Sequence, residues 1–272
     1  MIRNYLNALY NINDTVLKRA VFFAKAVCNI ISCMRFLYLE EIDSTNKFAK
    51  EGINNIPDKT VVYTYKQTAG RGRLQRKWSY AGEDNIYASI VLKPSNQMKE
   101  VYSNLTQLLC VVLAEVFEEY GIVPKIKWPN DIRVNGKKIS GILAEGVNEG
   151  AFLKGIVLGF GVNLNVPQEI LDNIDQPATS LNIETGKFID KEIFLKKVTD
   201  KFCLYYNKFI EEGFGLIRED YKKRAEFLNK YVSVKVFDKT YEGKAVDVTE
   251  NGALKLVDKE SKEHILLIGD IL

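Results

Sequence analysis

The segment from Gln67 to Trp78 carries side chains that could bind an anion with a flat ring attached. Its sequence is Gln-Thr-Ala-Gly-Arg-Gly-Arg-Leu-Gln-Arg-Lys-Trp, so two glycines, three arginines and a tryptophan fall between Gly70 and Trp78. Glycine lets a backbone approach a ligand closely, arginine offers a planar fork of donors for carboxylate or phosphate, and tryptophan offers a stacking face. A nucleotide has the groups that such a loop could bind. A basic surface turn, or a segment that binds nucleic acid, would have the same composition, and both stay open at this point.

Predicted strands flank this loop, and a predicted helix follows them. Val61–Tyr65 precedes the loop, and Asn85–Leu92 follows it with apolar residues on both faces, which is typical of a strand covered on both sides. Val101–Tyr120 has apolar residues at helical spacing and is followed by Gly121. We expect this helix to support the sheet from behind, with a purely structural role.

Two hairpins are predicted further along the chain. Ile126–Val134 and Lys138–Val147 are joined by Asn135-Gly136, which is typical of a tight hairpin turn. The next strand, Phe152–Val166, contains three closely spaced glycines: Gly155, Gly159 and Gly161. Glycines inside a strand mark bulges or places where a ligand comes close. We therefore predict that Asn163, just after them, points at a ligand.

The two ends of the body have simpler patterns. Phe36–Ile42 is predicted as a strand, and Asp43-Ser44-Thr45-Asn46 after it offers good capping chemistry for a helix, which by itself needs no other role. Helices are predicted at 190–212 and 214–228. From Lys230 onward, short strands separated by turn residues predict a small all-β barrel.

Composition excludes few classes of function. The 272 residues suffice for one large domain with a small appendage or for two domains, and a net charge of +3 is too small to indicate a nucleic-acid partner. His264 is the only histidine, and the four cysteines have no metal-ligand spacing, which disfavours a zinc site and histidine-based catalysis. Scattered free thiols are typical of a reducing cytosol, so we predict a cytoplasmic protein.

Residues 1–34 form an N-terminal extension that the patterns do not resolve. Val16–Met34 is mostly apolar, but basic residues interrupt it, which disfavours a membrane-spanning helix. The extension is either a short helix packed on the body or a segment that precedes the true start at Met34. A targeting peptide is a less favoured alternative, because no small-residue cleavage pattern is present.

Three segments occur in a fixed order: Gly70-Arg71-Gly72-Arg73 with Arg76 and Trp78, then Lys127-Trp128-Pro129-Asn130-Asp131, then Lys138-Ile139-Ser140-Gly141-Ile142-Leu143. Together with Ser44-Thr45-Asn46, they resemble the motifs of the biotin protein ligases, where the first segment is the adenylate-binding loop. The resemblance runs from about Phe36 to the C-terminus.

The resemblance implies an enzyme that ligates biotin to a protein with ATP. Biotin's carboxylate attacks the α-phosphate to give biotinyl-5′-AMP and pyrophosphate, and a lysine of a carboxylase's biotin carrier domain then displaces AMP. Both steps depend on positioning and charge stabilisation, without a covalent enzyme intermediate. Mg²⁺ is expected to bridge phosphate oxygens, although its protein ligand cannot be identified.

The resemblance also implies site residues, with Lys138 and Arg71 as the catalytic pair. Those for biotin are Ser44, Thr45, Asn46, Gln67, Gly70, Arg71, Lys138 and Gly141. Those for ATP and the adenylate are Arg71, Gly72, Arg73, Arg76, Trp78, Asn130, Asp131 and Asn163. Lys138 is expected to contact both the biotin carboxylate and the α-phosphate, with a solvated turn lysine as the alternative. Trp78 is expected to stack on adenine, with a core tryptophan as the alternative.

The implied fold is mixed α/β, a mixed sheet backed by helices as in the class II synthetase-like biotin/lipoate ligases, with an SH3-like β-barrel at the C-terminus. The predicted boundaries are 1–34 for the extension, 35–228 for the catalytic domain and 229–272 for the C-terminal domain. A winged-helix DNA-binding domain needs more chain than the extension offers, so repression is not expected. The alternatives are a lipoate or octanoate ligase or acyltransferase of the same fold, and a non-catalytic biotin-binding regulator. No nucleic-acid or membrane partner is expected, and a homodimer stays open.

Overall fold

The structure is a computed structural model that describes residues 25–26, 33–79, 81–94, 101–150 and 152–272. The strands are β1 (Lys25–Ala26), β2 (Arg35–Tyr38), β3 (Thr60–Thr64), β4 (Gly70–Arg71), β5 (Lys77–Trp78), β6 (Ile86–Leu92), β7 (Lys125–Lys127), β8 (Asp131–Val134), β9 (Lys137–Glu149), β10 (Phe152–Val162), β11 (Tyr231–Val236), β12 (Lys239–Val248), β13 (Leu254–Val257), β14 (Glu263–Leu266) and β15 (Asp270–Ile271). The α-helices are α1 (Thr45–Glu51), α2 (Leu105–Glu119), α3 (Gln168–Leu171), α4 (Leu181–Thr185), α5 (Lys191–Glu212) and α6 (Arg218–Arg224). The predictions for residues 1–34 lie outside the described residues, apart from 25–26 and 33–34.

One mixed sheet organises the larger part of the chain, in the order β1-β2-β3-β6-β10-β9-β8-β7. β2 and β3 run parallel, and the other neighbours are antiparallel. All residues of β6 are buried, because Ile90 packs into the core on the α2 side while Val91 packs with α1 on the other face. The predicted mixed sheet backed by helices is confirmed.

Helix α2 supports this sheet from behind, as its pattern predicted. Leu108, Leu109 and Val112 are fully buried, and each such side chain stabilises the fold by roughly 1.5–3 kcal/mol relative to an exposed one. Phe117 of α2 also packs against Phe194 of α5, with ring centroids 5.5 Å apart. The helix stops before Gly121, whose φ of 84° suits glycine.

The C-terminal strands form a second, antiparallel sheet in the order β14-β13-β12-β11-β15. The sheet is all-β, as predicted, but it is not closed into a barrel, because β14 and β15 do not pair with each other. Its inward side chains, such as Val234 and Leu254, join the same core as α2. Gln107 of α2 donates a hydrogen bond to the carbonyl of Gly252 at 2.9 Å, which ties the two sheets together.

Two predicted elements differ from the structure. Ile126–Val134 is not one strand: β7 and β8 pair antiparallel around a turn at Trp128-Pro129-Asn130, where the Trp128–Pro129 peptide is cis. Proline has no backbone donor and a fixed φ, so it cannot continue a paired central strand. The predicted helix at 214–228 is shorter, a 3-10 turn at Gly213–Leu216 followed by α6.

The sequence suggested that all four cysteines are free thiols, but two of them are paired in the structure. Cys33 and Cys203 form a disulfide with their Cα atoms 6.6 Å apart, a pairing that a sequence separation of 170 conceals. Cys110 is free and fully buried, and burial raises the pKa of its thiol. Among the helices in the described ranges, none has the length and apolar character needed to cross a membrane.

Candidate functional site

The arginine–glycine loop forms a short hairpin beside the central strands. β4 pairs with β5 so that Gly70 lies opposite Trp78, and the amide of Gly72 donates to the carbonyl of Arg76 at 2.7 Å. A Cβ on Gly70 would lie 2.6 Å from Nε2 of Gln67 and 2.7 Å from the carbonyl oxygen of Trp78. Only glycine fits there, so the hairpin lies directly against Gln67.

A buried set of neutral polar groups lies at the start of α1. Ser44 caps the helix, because its hydroxyl accepts from the amide of Lys47. Oε1 of Gln67 accepts from the backbone amide of Thr45 at 2.9 Å and lies 3.2 Å from the Thr45 hydroxyl. Ser44, Thr45 and Gln67 are all buried yet line the same cleft. Such a set suits an amide-like group that needs both donors and acceptors.

Lys138 and Asp131 form an ion pair across the β8–β9 hairpin. Lys138 Nζ lies 2.8 Å from Oδ2 of Asp131, and the two side chains are only 14% and 18% exposed. The β8–β9 register shifts next to Lys138, whose backbone amide donates to the carbonyl of Pro177 at 2.9 Å. Lys138 is therefore not a solvated turn lysine, whereas Lys137 is exposed. The pair presents a fixed cation to the cleft.

Trp78 lies over two glycines that face each other on adjacent strands. Gly141 of β9 pairs with Gly161 of β10, and Cβ atoms on them would lie 2.8 Å and 2.5 Å from the indole ring. Any larger residue would displace the ring. Lys138 Nζ is 5.3 Å from the ring centroid, within the range of a cation–π contact. Trp78 is half-buried and lines the cleft, so it is not a core tryptophan.

The C-terminal sheet contributes an unexpected carboxylate at the far end of the cleft. Asp270 lies 2.9 Å from Nη1 of Arg73 and 3.1 Å from Nη2 of Arg76. Arg73 also donates to Oδ1 of Asn130 at 3.0 Å and to the carbonyl of Gly269 at 3.0 Å. Two loop arginines are thus held by groups from the other sheet and from the β7–β8 turn.

Asp43 adds a negative charge near the exposed Arg71. Burial alone would raise the pKa of Asp43, but hydrogen bonds from Lys47 and from the amide of Ser44 outweigh it and hold the pKa below its ordinary value. The field of Arg71 acts in the same direction. Asp43 is therefore ionised at neutral pH, and its backbone carbonyl accepts from the amide of Ala69 at 2.7 Å, at the base of the loop.

These groups share one cleft of about 770 Å³, the open solvent at its mouth included. Thirteen of the predicted site residues line it: Ser44, Thr45, Asn46, Gln67, Arg71, Gly72, Arg73, Arg76, Trp78, Asn130, Asp131, Lys138 and Gly141. Gly70, at the start of the loop, does not line the cleft. Asn163 does not reach the cleft, contrary to its prediction, because its side-chain amide donates to the carbonyl of Thr179 at 3.1 Å.

Sequence reasoning missed several residues of the cleft wall. They are Lys77, Ala88, Ile142, Leu143, Gly159, Phe160, Gly161, Gln176 and Asp270. The glycine density of β10 did indicate close approach at Gly159 and Gly161, whereas Gly155 marks a β-bulge. Nothing in the sequence around Asp270 distinguishes it, since one aspartate in a short strand has no local signature.

The cleft has three chemically different regions in a row. Neutral donors and acceptors lie at the start of α1. Trp78, which pairs with Gly70 beside Gln67, faces the Lys138–Asp131 ion pair in the middle. Asn130, next to Asp131, binds Arg73, which shares Asp270 with Arg76 at the other end. A ligand pair with an amide-like head, a carboxylate and a string of phosphates would match this order.

Comparisons with known proteins identify relatives that are ligases of biotin or lipoate. Residues 38–163 match the biotin/lipoate A/B protein ligase family. The chain is 33% identical over 232 residues to the bifunctional ligase/repressor BirA of Bacillus subtilis, covering 84% of this chain and 71% of that protein. It is 28% identical to the biotin–[acetyl-CoA-carboxylase] ligase of Paracoccus denitrificans, covering 80% and 92%. The biotin protein ligase from Aquifex aeolicus in complex with biotin and ATP matches with a TM-score of 0.74 and 30% identity, over 87% of this chain and 97% of that one.

Proposed function

The chain belongs to the biotin/lipoate A/B protein ligase family, and we propose from this premise that it ligates biotin to a lysine of a carrier protein with ATP, through biotinyl-5′-AMP. The observation that carries the proposal is the order of groups along one cleft: a neutral polar cradle, then Lys138, then paired arginines. The similarity to a ligase bound to biotin and ATP supports the same assignment.

The cradle of Ser44, Thr45 and Gln67 binds the ureido head of biotin. That group has two N–H donors and a carbonyl acceptor, and it needs matched partners because the cradle is buried. A lipoyl chain has no such group, and no observation favours lipoate over biotin. The valeryl chain then extends past Trp78 and Gly141 to bring its carboxylate to Lys138.

Lys138 is the central cation of the first step. A carboxylate and a triphosphate repel each other, so their approach needs a positive charge between them. Lys138 contacts the biotin carboxylate and the α-phosphate while a carboxylate oxygen bonds to phosphorus and the bond to pyrophosphate breaks. Arg71 covers the resulting adenylate, and Arg73 and Arg76 contact the phosphates. Trp78 stacks on adenine.

Two carboxylates of the cleft, those of Asp131 and Asp270, fit a magnesium ion. Mg²⁺ is commonly held by one or two carboxylates together with substrate phosphates, and it does not need a cage made entirely of protein. Asp131 and Asp270 offer such oxygens, and Oδ2 of Asp270 is buried without a well-aligned hydrogen bond. Either residue would supply an oxygen ligand to the ion, which would neutralise charge on the phosphates.

The second step needs a protein partner, the biotin carrier domain of a carboxylase. Its lysine nitrogen attacks the acyl carbon of the adenylate, an amide forms, the amine loses a proton and AMP leaves. The loop from Gly70 to Trp78 shields the adenylate from water until then.

Three further features of this ligase belong to the proposal. The catalytic domain spans 35–228 and the C-terminal domain 229–272, supported by the absence of strand pairing between the two sheets within the described residues. A cytoplasmic location stays a prediction, and the pairing of two copies, through sheet edges, stays open.

ATP–pyrophosphate exchange by the purified chain tests the function. Exchange that depends on biotin is the expected result, followed by transfer of biotin to an added carrier domain. Exchange supported by lipoate or octanoate instead would assign the chain to the other branch of the family. No exchange, with tight biotin binding by calorimetry, would identify a biotin sensor.

A further inference from the structure

A carboxylate outside the cleft lies behind its biotin end. Glu145, on β9, accepts a hydrogen bond from Nδ2 of Asn46 at 2.9 Å through one oxygen and from Nζ of Lys50 at 2.6 Å through the other. Asn46 lines the cleft, but Glu145 and Lys50 do not. Glu145 therefore touches the site only through Asn46, although its charge also acts at a distance on Arg71.

The neighbours of Asn46 determine which way its amide points. Nδ2 faces Glu145 and the carbonyl oxygen of Leu143, which is 3.3 Å away, and both of these groups can only accept. The NH₂ group must therefore be on that side, and Oδ1 must face Ser89, whose hydroxyl is 2.6 Å away. The Asn46 amide packs directly against the backbone of Gly159, where a Cβ would lie 1.9 Å from Oδ1.

The orientation of Asn46 fixes the proton of the next residue, Ser89. Ser89 is fully buried and has one hydroxyl proton, which goes to Oδ1 of Asn46 because that oxygen can only accept. At the 2.8 Å contact between the hydroxyls of Ser89 and Thr45, Thr45 must then be the donor. Its other neighbour, Oε1 of Gln67, is 3.2 Å away and also only accepts, so in either case the Thr45 proton is engaged within the cradle and its oxygen is left to accept.

The result is a cradle with defined polarity. Thr45 presents an oxygen lone pair to the cleft. Gln67, whose Oε1 already accepts from the amide of Thr45 at 2.9 Å, presents its NH₂ group. An N–H and a carbonyl of one ureido group would meet an acceptor and a donor in this arrangement.

We propose that Glu145 is a positioning residue for biotin, which sets through Asn46 and Ser89 which atoms of the cradle accept and which donate. The inference rests on the proposed function, because it takes the ligand of the cradle to be a ureido group. Glu145 is suited to the role only when ionised, since a protonated carboxyl could donate to Asn46. Burial alone would raise the pKa of Glu145, but the hydrogen bonds from Lys50 and Asn46 outweigh it and hold the pKa below its ordinary value.

The test uses Glu145→Met, which keeps the length of the side chain and removes both acceptors. We expect its Kd for biotin by calorimetry, and its KM for biotin in ATP–pyrophosphate exchange, to rise roughly tenfold, as for loss of one hydrogen bond to a charged group. The KM for ATP should stay within about twofold, because the arginine end is untouched. Glu149→Met is the matched control: it removes an exposed carboxylate of the same strand, ion-paired with Lys154, and leaves biotin affinity unchanged.

A conservative rescue separates positioning from packing. One carbonyl oxygen is enough for Asn46, so Glu145→Gln combined with Lys50→Met should bind biotin as the unmodified protein does. Ser89→Ala breaks the chain at its next link and should weaken biotin binding to a similar extent as Glu145→Met. The double variant should be no worse than either single one. If thermal unfolding shows that Glu145→Met does not fold, Ser89→Ala and the Glu145→Gln, Lys50→Met variant still test the inference.

Three results would overturn the inference while the proposed function stands. They are unchanged biotin affinity in folded Glu145→Met, an equal loss in Glu149→Met, and additive losses in the double variant with Ser89→Ala. If the unmodified protein supports exchange with lipoate and not with biotin, the proposed function fails instead.

Discussion

Lys138 gains its position from three sides, and each side is a different kind of contact. Asp131 pairs with its ammonium group, the Trp78 ring faces it, and the backbone of Pro177 accepts from its amide. Because the side chain is mostly withdrawn from water, its charge acts on a ligand with little screening. Trp78 reaches this point only because Gly141 and Gly161 leave space under its ring.

At the residue scale, Lys138→Ala should therefore keep the fold and lose adenylate formation. Removing one preorganised charge from a buried site costs about 100-fold or more in rate. The measurement is biotin-dependent ATP–pyrophosphate exchange, with the melting temperature as a check on folding. Lys137→Ala is the control, because that neighbour is exposed and has no role in the cleft. Near-normal turnover in Lys138→Ala would remove this residue from the mechanism.

At the scale of elements, the sequence predicted correctly the features that a few neighbouring residues determine. Ser44 caps α1, and Asn135-Gly136 turns the hairpin with φ of 51° and 78°, because a few neighbouring residues suffice in each case. The Trp128-Pro129-Asn130 turn was missed, although Pro129 could have indicated it, because apolar and charged residues alternate on both sides of it as in one strand. Asp270 and the Cys33–Cys203 pair were missed for another reason: their partners are distant in sequence, and no alignment-free pattern reports such contacts.

The contact between α2 and α6 predicts how stability depends on pH. Arg224 is buried and binds both oxygens of Glu118 at 2.8 Å, and this hydrogen bonding holds the pKa of Glu118 below its ordinary value. A lowered folded-state pKa gives stability that is present above about pH 4.5 and is lost as the pH falls through the lower value. Since Glu118 is 41% exposed, solvent screening limits the effect to about 1 kcal/mol.

Glu118→Gln should accordingly lower the free energy of unfolding at pH 7 by that amount and much less at pH 3. Urea denaturation at the two pH values measures the difference. Glu169→Gln is the control, since this carboxylate lies on the surface in α3. A difference that stayed constant with pH would show that Glu118 contributes by packing and not by its charge.

The whole molecule is built so that the second sheet completes a cleft of the first. The inward side chains of the C-terminal sheet share the core with α2, and Gln107 and Trp128 both approach the carbonyl of Gly252, at 2.9 Å and 3.5 Å. This rigid attachment lets a short strand at the end of the chain deliver Asp270 to the arginine loop. The C-terminal sheet therefore forms part of the cleft wall at the loop arginines as well as being a structural support.

Asp270→Ala tests that role. Without the carboxylate, Arg73 and Arg76 repel each other and lose the contact that holds them together, so the KM for ATP should rise roughly three- to tenfold while the Kd for biotin stays unchanged. Asp247→Ala is the matched control: it removes an ion-paired carboxylate of the same sheet, bound to Arg218 and Lys222, and should lower the melting temperature without changing the KM for ATP. Tighter ATP binding in Asp270→Ala would contradict the prediction, because it would mean that Asp270 competes with the phosphates for the arginines.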